Sequence, residues 1–132
     1  MTEIRVLDAS ALIAYITGTL TVRQRLYDIL HSKVLVAPKN LPVEATSALR
    51  ALERSGDLSS NEVTLARSNA MKFQAELYPF NPLADRIWEL RHNLTVYDAW
   101  YVALAEALNA PLVTTDIRLA RSPGVRCEFI VP

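Results

Sequence analysis

The sequence predicts one α/β domain, with a short, mostly parallel central sheet and helices on both of its faces. Three observations carry this expectation. Short apolar runs such as Ile4-Arg5-Val6-Leu7, Val34-Leu35-Val36-Ala37 and Leu112-Val113-Thr114 recur along the chain and read as buried strands. Longer stretches with apolar residues at helical spacing alternate with them. The 132 residues, 51% of them hydrophobic, fit a single domain over residues 1–132 that can bury its core without disulfides or other staples.

Each element has a local reason. The first strand, Ile4 to Leu7, ends at Asp8, and Ala9 to Ile16 follows as a helix stopped by Gly18. Thr21 is expected to cap a second helix running to Leu30, with Val22, Leu26, Ile29 and Leu30 on one face. Pro38 closes the strand Val34 to Ala37. Pro42 suits the first turn of a third helix, which runs to about Arg54 before Ser55-Gly56-Asp57. Ser59 followed by Glu62 is a capping-box pattern for a helix from Ser60 to about Ala75. Glu76 to Phe80 reads as a short strand and Pro82 to about His92 as a helix. Thr95 followed by Asp98 resembles a capping box for a helix to Leu108. Leu112 to Thr114 is a strand before Asp116, and a helical turn from Ile117 to Arg121 precedes a last strand, Glu128 to Val131.

Composition excludes several classes. Lys plus Arg and Asp plus Glu are 14 each, so no global basic field marks a nucleic-acid binder, although 11 of the bases are arginine. The single cysteine, Cys127, excludes an internal disulfide and a cysteine-based zinc cluster. The uncharged stretch from Ala9 to Val22 is too short to span a bilayer, and no targeting signal is visible, so a cytoplasmic location is expected.

Ligands of such sheets bind at the carboxyl ends of the strands. Asp8 and Asp116 directly follow strands and belong at that edge. Glu44 shares a helix face with Leu41, Ala48 and Ala51, and Asp98 shares one with Leu94, Tyr101, Val102 and Ala105. An acid on an apolar stripe either reaches out to solvent, caps its helix or has a partner. All four can converge on one edge, where carboxylates repel unless cations neutralise them. Oxygen-only ligands favour magnesium or manganese, and the standard use is in-line attack of water on a phosphodiester. Ser10 and Thr114 flank the acids, either to orient water or as ordinary caps.

Val6-Leu7-Asp8-Ala9-Ser10-Ala11-Leu12, Pro42-Val43-Glu44, the segment from Tyr97-Asp98-Ala99 to Ala105-Glu106, and Leu112-Val113-Thr114-Thr115-Asp116 occur in that order. Together they resemble a PIN domain, and more narrowly the toxin of VapBC-type toxin–antitoxin pairs, over essentially the whole chain. The resemblance implies a three-layer α/β/α PIN-like fold and a Mg/Mn-dependent endoribonuclease. Asp8, Glu44, Asp98 and Asp116 match the family's acidic quartet. Some members carry a further acid shortly after the last; residues 118–121 offer none, which argues against a second tightly held ion. The resemblance also implies a cognate antitoxin covering the site, a toxin homodimer that becomes a heterotetramer or larger with it, and tRNA or ribosomal RNA as substrate.

Other readings make different demands. A phosphoacceptor receiver domain needs a lysine near the last strands, whereas Lys33, Lys39 and Lys72 come too early. An aspartate-nucleophile phosphatase needs an acid where Ser10 stands. His31 and His92 sit at helix ends and read as structural. A catalytically silent PIN-like module for RNA or protein binding keeps the fold without the chemistry. Alternatively, the acids pair with Arg5, Arg91 and Arg118. Arg91 and Arg118, close in sequence to Asp98 and Asp116, are the candidate RNA contacts. Trp88, Trp100 and Tyr101 either stack bases or pack in the core. An antitoxin groove is expected near Leu26, Leu30 and Leu65.

Overall fold

The computed structural model describes residues 2–132. Its sheet is parallel throughout, in the order β3-β2-β1-β4-β5. The strands are β1 (Ile4–Leu7), β2 (Val34–Pro38), β3 (Glu76–Tyr78), β4 (Leu112–Val113) and β5 (Phe129–Ile130). Among the described residues, seven helices surround it: α1 (Ala9–Thr17), α2 (Leu20–Leu30), α3 (Leu41–Ser55), α4 (Ser60–Lys72), α5 (Ala84–Glu89), α6 (Val96–Leu108) and α7 (Ile117–Ala120), with a 3-10 turn at Asn81–Leu83. The three-layer α/β/α expectation holds.

β1 is central, and Val6 pairs with Val36 on one side and Leu112 on the other. These residues, Leu7 and Val113 are completely buried, as two-sided strands of a parallel sheet must be. α1 packs against α2, α3 and α4, while α6 lies across β1, β2 and β4 with α5 beside it. α6 is apolar almost all round because it is covered almost all round: Ala99, Tyr101, Val102, Ala103, Leu104 and Ala105 are buried. The chain order reverses across the sheet between β1 and β4, which places the expected binding crevice at their carboxyl ends.

Several boundaries differ from expectation for identifiable reasons. Thr19, not Thr21, caps α2, accepting from the Val22 amide at 3.3 Å. Gly18 turns so tightly that a side chain there would collide with the Ala14 carbonyl oxygen, so the second helix can start immediately after it. α4 stops at Lys72 because Phe73 turns extended and packs edge-on to Tyr15, ring centres 6.3 Å apart. The expected helix from Pro82 to His92 is shorter and begins as a 3-10 turn. The Leu90 amide is shared between the Arg86 and Ile87 carbonyls, which tightens the chain and ends α5 while burying Leu90.

The capping box of α4 forms as predicted. The Ser59 hydroxyl accepts from the Glu62 amide at 3.1 Å, and the Glu62 carboxylate accepts from the Ser59 amide at 3.0 Å. Ser59→Ala should lower stability by about 1 kcal/mol, read as a shift in urea midpoint at constant slope. A second polar clamp has no counterpart in the local sequence pattern. Arg86 binds Glu106 through Nε at 2.7 Å and Nη2 at 3.1 Å, and also donates to the Gly124 carbonyl at 2.9 Å. The Arg126 amide donates to the same glutamate at 2.8 Å, so α5, α6 and the segment before β5 are tied together. Burial works to raise the Glu106 pKa, but Arg86 and the Arg126 amide outweigh it and hold it low.

The expected groove is lined by other residues. Leu26 and Leu30 are core, at 0% and 5% exposure, because α2 turns that face onto α1. Leu65 is 65% exposed on α4 and does lie on the surface. The apolar groove between α2 and α4 is lined instead by Tyr15, Ile16, Leu20, Tyr27 and Phe73. No helix among the described residues is long and apolar enough to cross a membrane.

Candidate active site

Three of the acids are placed by strand ends and the helix starts beyond them, and Asp98 by the start of α6, which follows α5. Asp8 follows β1 and is the N-cap of α1; its Oδ1 accepts from the Ala11 amide at 2.9 Å and the Ser10 hydroxyl at 2.7 Å. Asp116 follows β4 and caps α7, accepting from the Arg118 and Leu119 amides at 3.0 and 3.3 Å. Glu44 lies in the first turn of α3, after β2, and takes a 3.2 Å hydrogen bond from the Asn40 side chain. Asp98 lies in the first turn of α6. Each carboxylate therefore stands where a helix dipole favours negative charge.

Asp98 does not serve as the cap that its position suggests. Thr95 is the cap, its hydroxyl accepting from the Asp98 amide at 3.1 Å. No matching bond returns from the Asp98 carboxylate to the Thr95 amide, unlike Glu62 in α4. The Asp98 carboxylate is left for the site.

The acids sense one another. Burial, first, and then the charge of Asp98 push the Asp8 carboxyl up, against hydrogen bonds from Thr114, Ser10 and the Ala11 amide. Glu44 is raised by burial, with Asp98 and Asp8 adding to it and the side chains of Tyr101 and Asn40 opposing. Asp98 is raised by burial and by Asp116, with Thr95 and Arg118 opposing. Asp98 is thus the hub through which the four are coupled.

Ser10 and Thr114 join the two strand ends. The Ser10 hydroxyl donates to Asp8, accepts from the Thr115 amide at 3.1 Å and lies 3.3 Å from the Thr114 hydroxyl. Thr114, fully buried, accepts from the Asp116 amide at 3.0 Å. These hydroxyls hold the Asp8 and Asp116 loops in register with each other. The sequence leaves their role open between orienting water and capping, and this bracing role is what the geometry displays.

The arginines do not neutralise the cluster. Arg5 pairs with Glu3 at 2.9 Å. The Arg91 guanidinium stacks 4.2 Å over Trp88 and donates to the Trp88 carbonyl at 2.8 Å. Arg118 approaches Asp116 only to 3.9 Å and is 96% exposed, a contact of little energy in water. Pairing with Arg5, Arg91 and Arg118 therefore does not account for the acids. Arg118 does stand at the rim of the site, as its sequence position suggests. Among the aromatics, Trp88 is exposed, Trp100 packs edge-on to Phe80, and Tyr101 is buried. His31 closes α2 and stacks on Tyr27, the structural role expected of it.

The donor set suits a hard divalent cation: it is all oxygen, strongly anionic and short of cationic partners among the described residues. Among the described residues, no three acid, histidine or cysteine side chains already converge on one point. Uncompensated carboxylates repel, and magnesium is commonly held by one or two carboxylates plus water, so the arrangement fits such an ion. Two neighbours join the site that the acid pattern alone does not single out. Asn40 stands one turn before Glu44 and holds it. Tyr101 stands one turn after Asp98, and its buried hydroxyl lacks a hydrogen-bond partner among the described residues. Helical spacing from the acids is the available sequence signal for both.

Comparison with known proteins bears on the family and the fold. The PIN domain family matches residues 5–125. Ribonuclease VapC1 of Mycobacterium tuberculosis is 39% identical over 125 residues, which cover 94% of each chain. A crystal structure of a Pyrobaculum aerophilum protein superposes with a TM-score of 0.71 at 23% identity, over 97% of this chain and 83% of that one. VapBC2 from Rickettsia felis, solved bound to a DNA fragment from its promoter, gives 0.66 at 17% identity over 96% and 98%. With the parallel sheet, the ordered acids and a match along nearly its full length, the chain belongs to the PIN domain family.

Proposed function

We propose that this protein is a metal-dependent endoribonuclease, the toxin of a toxin–antitoxin pair. The observation that carries the reading is the gathering of Asp8, Glu44, Asp98 and Asp116 at one sheet edge, with no cation among the described residues closer than the exposed Arg118, 3.9 Å from Asp116. The name of the 39% identical relative, Ribonuclease VapC1, supports RNA as substrate. Asp8, Glu44, Asp98 and Asp116 would hold magnesium or manganese, which when bound would activate water and offset charge on a phosphodiester. The chain's own part is to hold the acids: Ser10, Thr114 and the helix starts fix Asp8 and Asp116, and Asn40 steadies Glu44. Hydrolysis joins the water oxygen to phosphorus and breaks one P–O ester bond.

The VapBC2 structure, a toxin–antitoxin complex by its name, supports an antitoxin partner for this chain as well. The groove lined by Tyr15, Ile16, Leu20, Tyr27 and Phe73, with Leu20 exposed, is the apolar surface offered to it. Incubating purified protein with a structured RNA, with and without EDTA, tests the enzymatic reading against a silent binding module. A silent module binds RNA equally in both and cuts it in neither.

RNA contact should come from local arginines and not from overall charge. The Arg91→Gln/Arg118→Gln double variant should bind RNA more weakly. Its salt dependence should be shallower by one to two counterions, about 0.7 in log–log slope for each phosphate of a single strand that is no longer neutralised. An unchanged slope in filter-binding titrations would place the RNA path elsewhere on the surface.

A further inference from the structure

Tyr101 is only 1% exposed, and its hydroxyl is sealed from water without a hydrogen-bond partner among the described residues. Phenylalanine would fill the same volume without that cost, so the oxygen calls for a use. It sits one turn after Asp98 on α6 and senses the charges of Glu44, Asp8 and Asp98, Glu44 most strongly.

Glu44 and Asp98 are the two acids short of donors, and Glu44 is the one that Tyr101 senses most strongly. The carboxylates of Asp8 and Asp116 each accept a backbone amide and a second donor. Glu44 has one well-formed bond, at 3.2 Å from Asn40, and the Tyr101 hydroxyl stands beside it near enough to interact but without a well-aligned bond. Carboxylates that ligate metals are themselves oriented by hydrogen bonds, and losing that support weakens metal binding. We propose that Tyr101 is a positioning residue whose hydroxyl donates to the Glu44 carboxylate in the metal-loaded protein and fixes how that carboxylate faces the cation. The inference rests on the metal-dependent reading above and adds a residue to its site.

The test is Tyr101→Phe in the full chain, measured by manganese titration calorimetry and by melting temperature without metal. Manganese affinity should fall about tenfold, while the metal-free melting temperature stays level or rises. Glu44→Asp keeps the charge but shortens the reach. In that background, adding Tyr101→Phe should change affinity by less than about twofold, the mark of two residues acting through one interaction. Equal manganese affinity in wild type and Tyr101→Phe overturns the proposal. So does a lower metal-free melting temperature, which would make the tyrosine a packing residue. A tenfold loss that persists in the Glu44→Asp background overturns the assignment to Glu44. Absence of manganese binding by the wild type overturns the metal reading itself, and this inference with it.

Discussion

Asp8→Asn, Glu44→Gln, Asp98→Asn and Asp116→Asn are each expected to slow RNA cleavage by at least about a hundredfold, the lower range for removing a preorganised electrostatic group. The substitutions are nearly isosteric, so size alone is not the cause. Asp8→Asn should be among the most damaging. Its Oδ1 accepts both the Ala11 amide and the Ser10 hydroxyl, and Ser10 in turn contacts Thr114 and Thr115. Combining variants should add little beyond the first loss, because the acids are coupled through Asp98 and act as a unit. Cleavage should vanish in EDTA and return with magnesium or manganese. Single-turnover rates on one structured RNA, with circular dichroism to confirm folding, give the comparison. Full cleavage in EDTA, or wild-type rates in two of the four variants, would remove the acids from the chemistry.

How much of this site is legible in the sequence follows from the physics of each residue. Asp8 and Asp116 are visible because a buried strand that ends in an acid delivers that acid to the sheet edge. Glu44 and Asp98 are visible because an acid on an apolar helix face conflicts with its neighbours. For Asp98 the conflict is real: Leu94, Tyr101, Val102 and Ala105 are all buried. For Glu44 it is milder, since Ala51 on the same stripe is exposed. Long-range packing is not legible. Leu26 and Leu30 belong to a helical pattern that reads equally as groove or core, and only the seating of α2 against α1 decides it. The early end of α4 depends on Phe73 meeting Tyr15, a contact between residues distant in sequence. The Arg86–Glu106 clamp spans 20 residues and reaches Gly124, a pairing that no local rule announces.

The metal-free protein should lose stability as pH rises from about 4, the ordinary carboxylate range, toward neutrality. Folding raises the carboxyl groups of Asp8, Glu44 and Asp98 above their ordinary values, through burial first and neighbouring charge second. Between its unfolded and folded pKa, such a group binds more protons in the folded chain than in the unfolded one. Its stabilising contribution is complete below the unfolded pKa and disappears as pH passes through the folded value. A divalent cation that binds only the folded site should reverse the loss, by about 2.7 kcal/mol at a hundredfold excess over its Kd. Removing the hub charge should do part of the same: Asp98→Asn should be inactive yet about 0.5–2 kcal/mol more stable than the metal-free wild type at neutral pH. Asp116→Asn is a sharper control. Asparagine caps helices as well as aspartate does, so the bonds to the Arg118 and Leu119 amides can survive while the repulsion on Asp98 is removed. Melting curves of the wild type and both variants between about pH 5 and 8, with and without magnesium, separate the possibilities. If both variants melt well below the wild type at every pH and magnesium moves no midpoint, the carboxylates stabilise the fold in their ionised form. The repulsion that calls for a cation would then be absent.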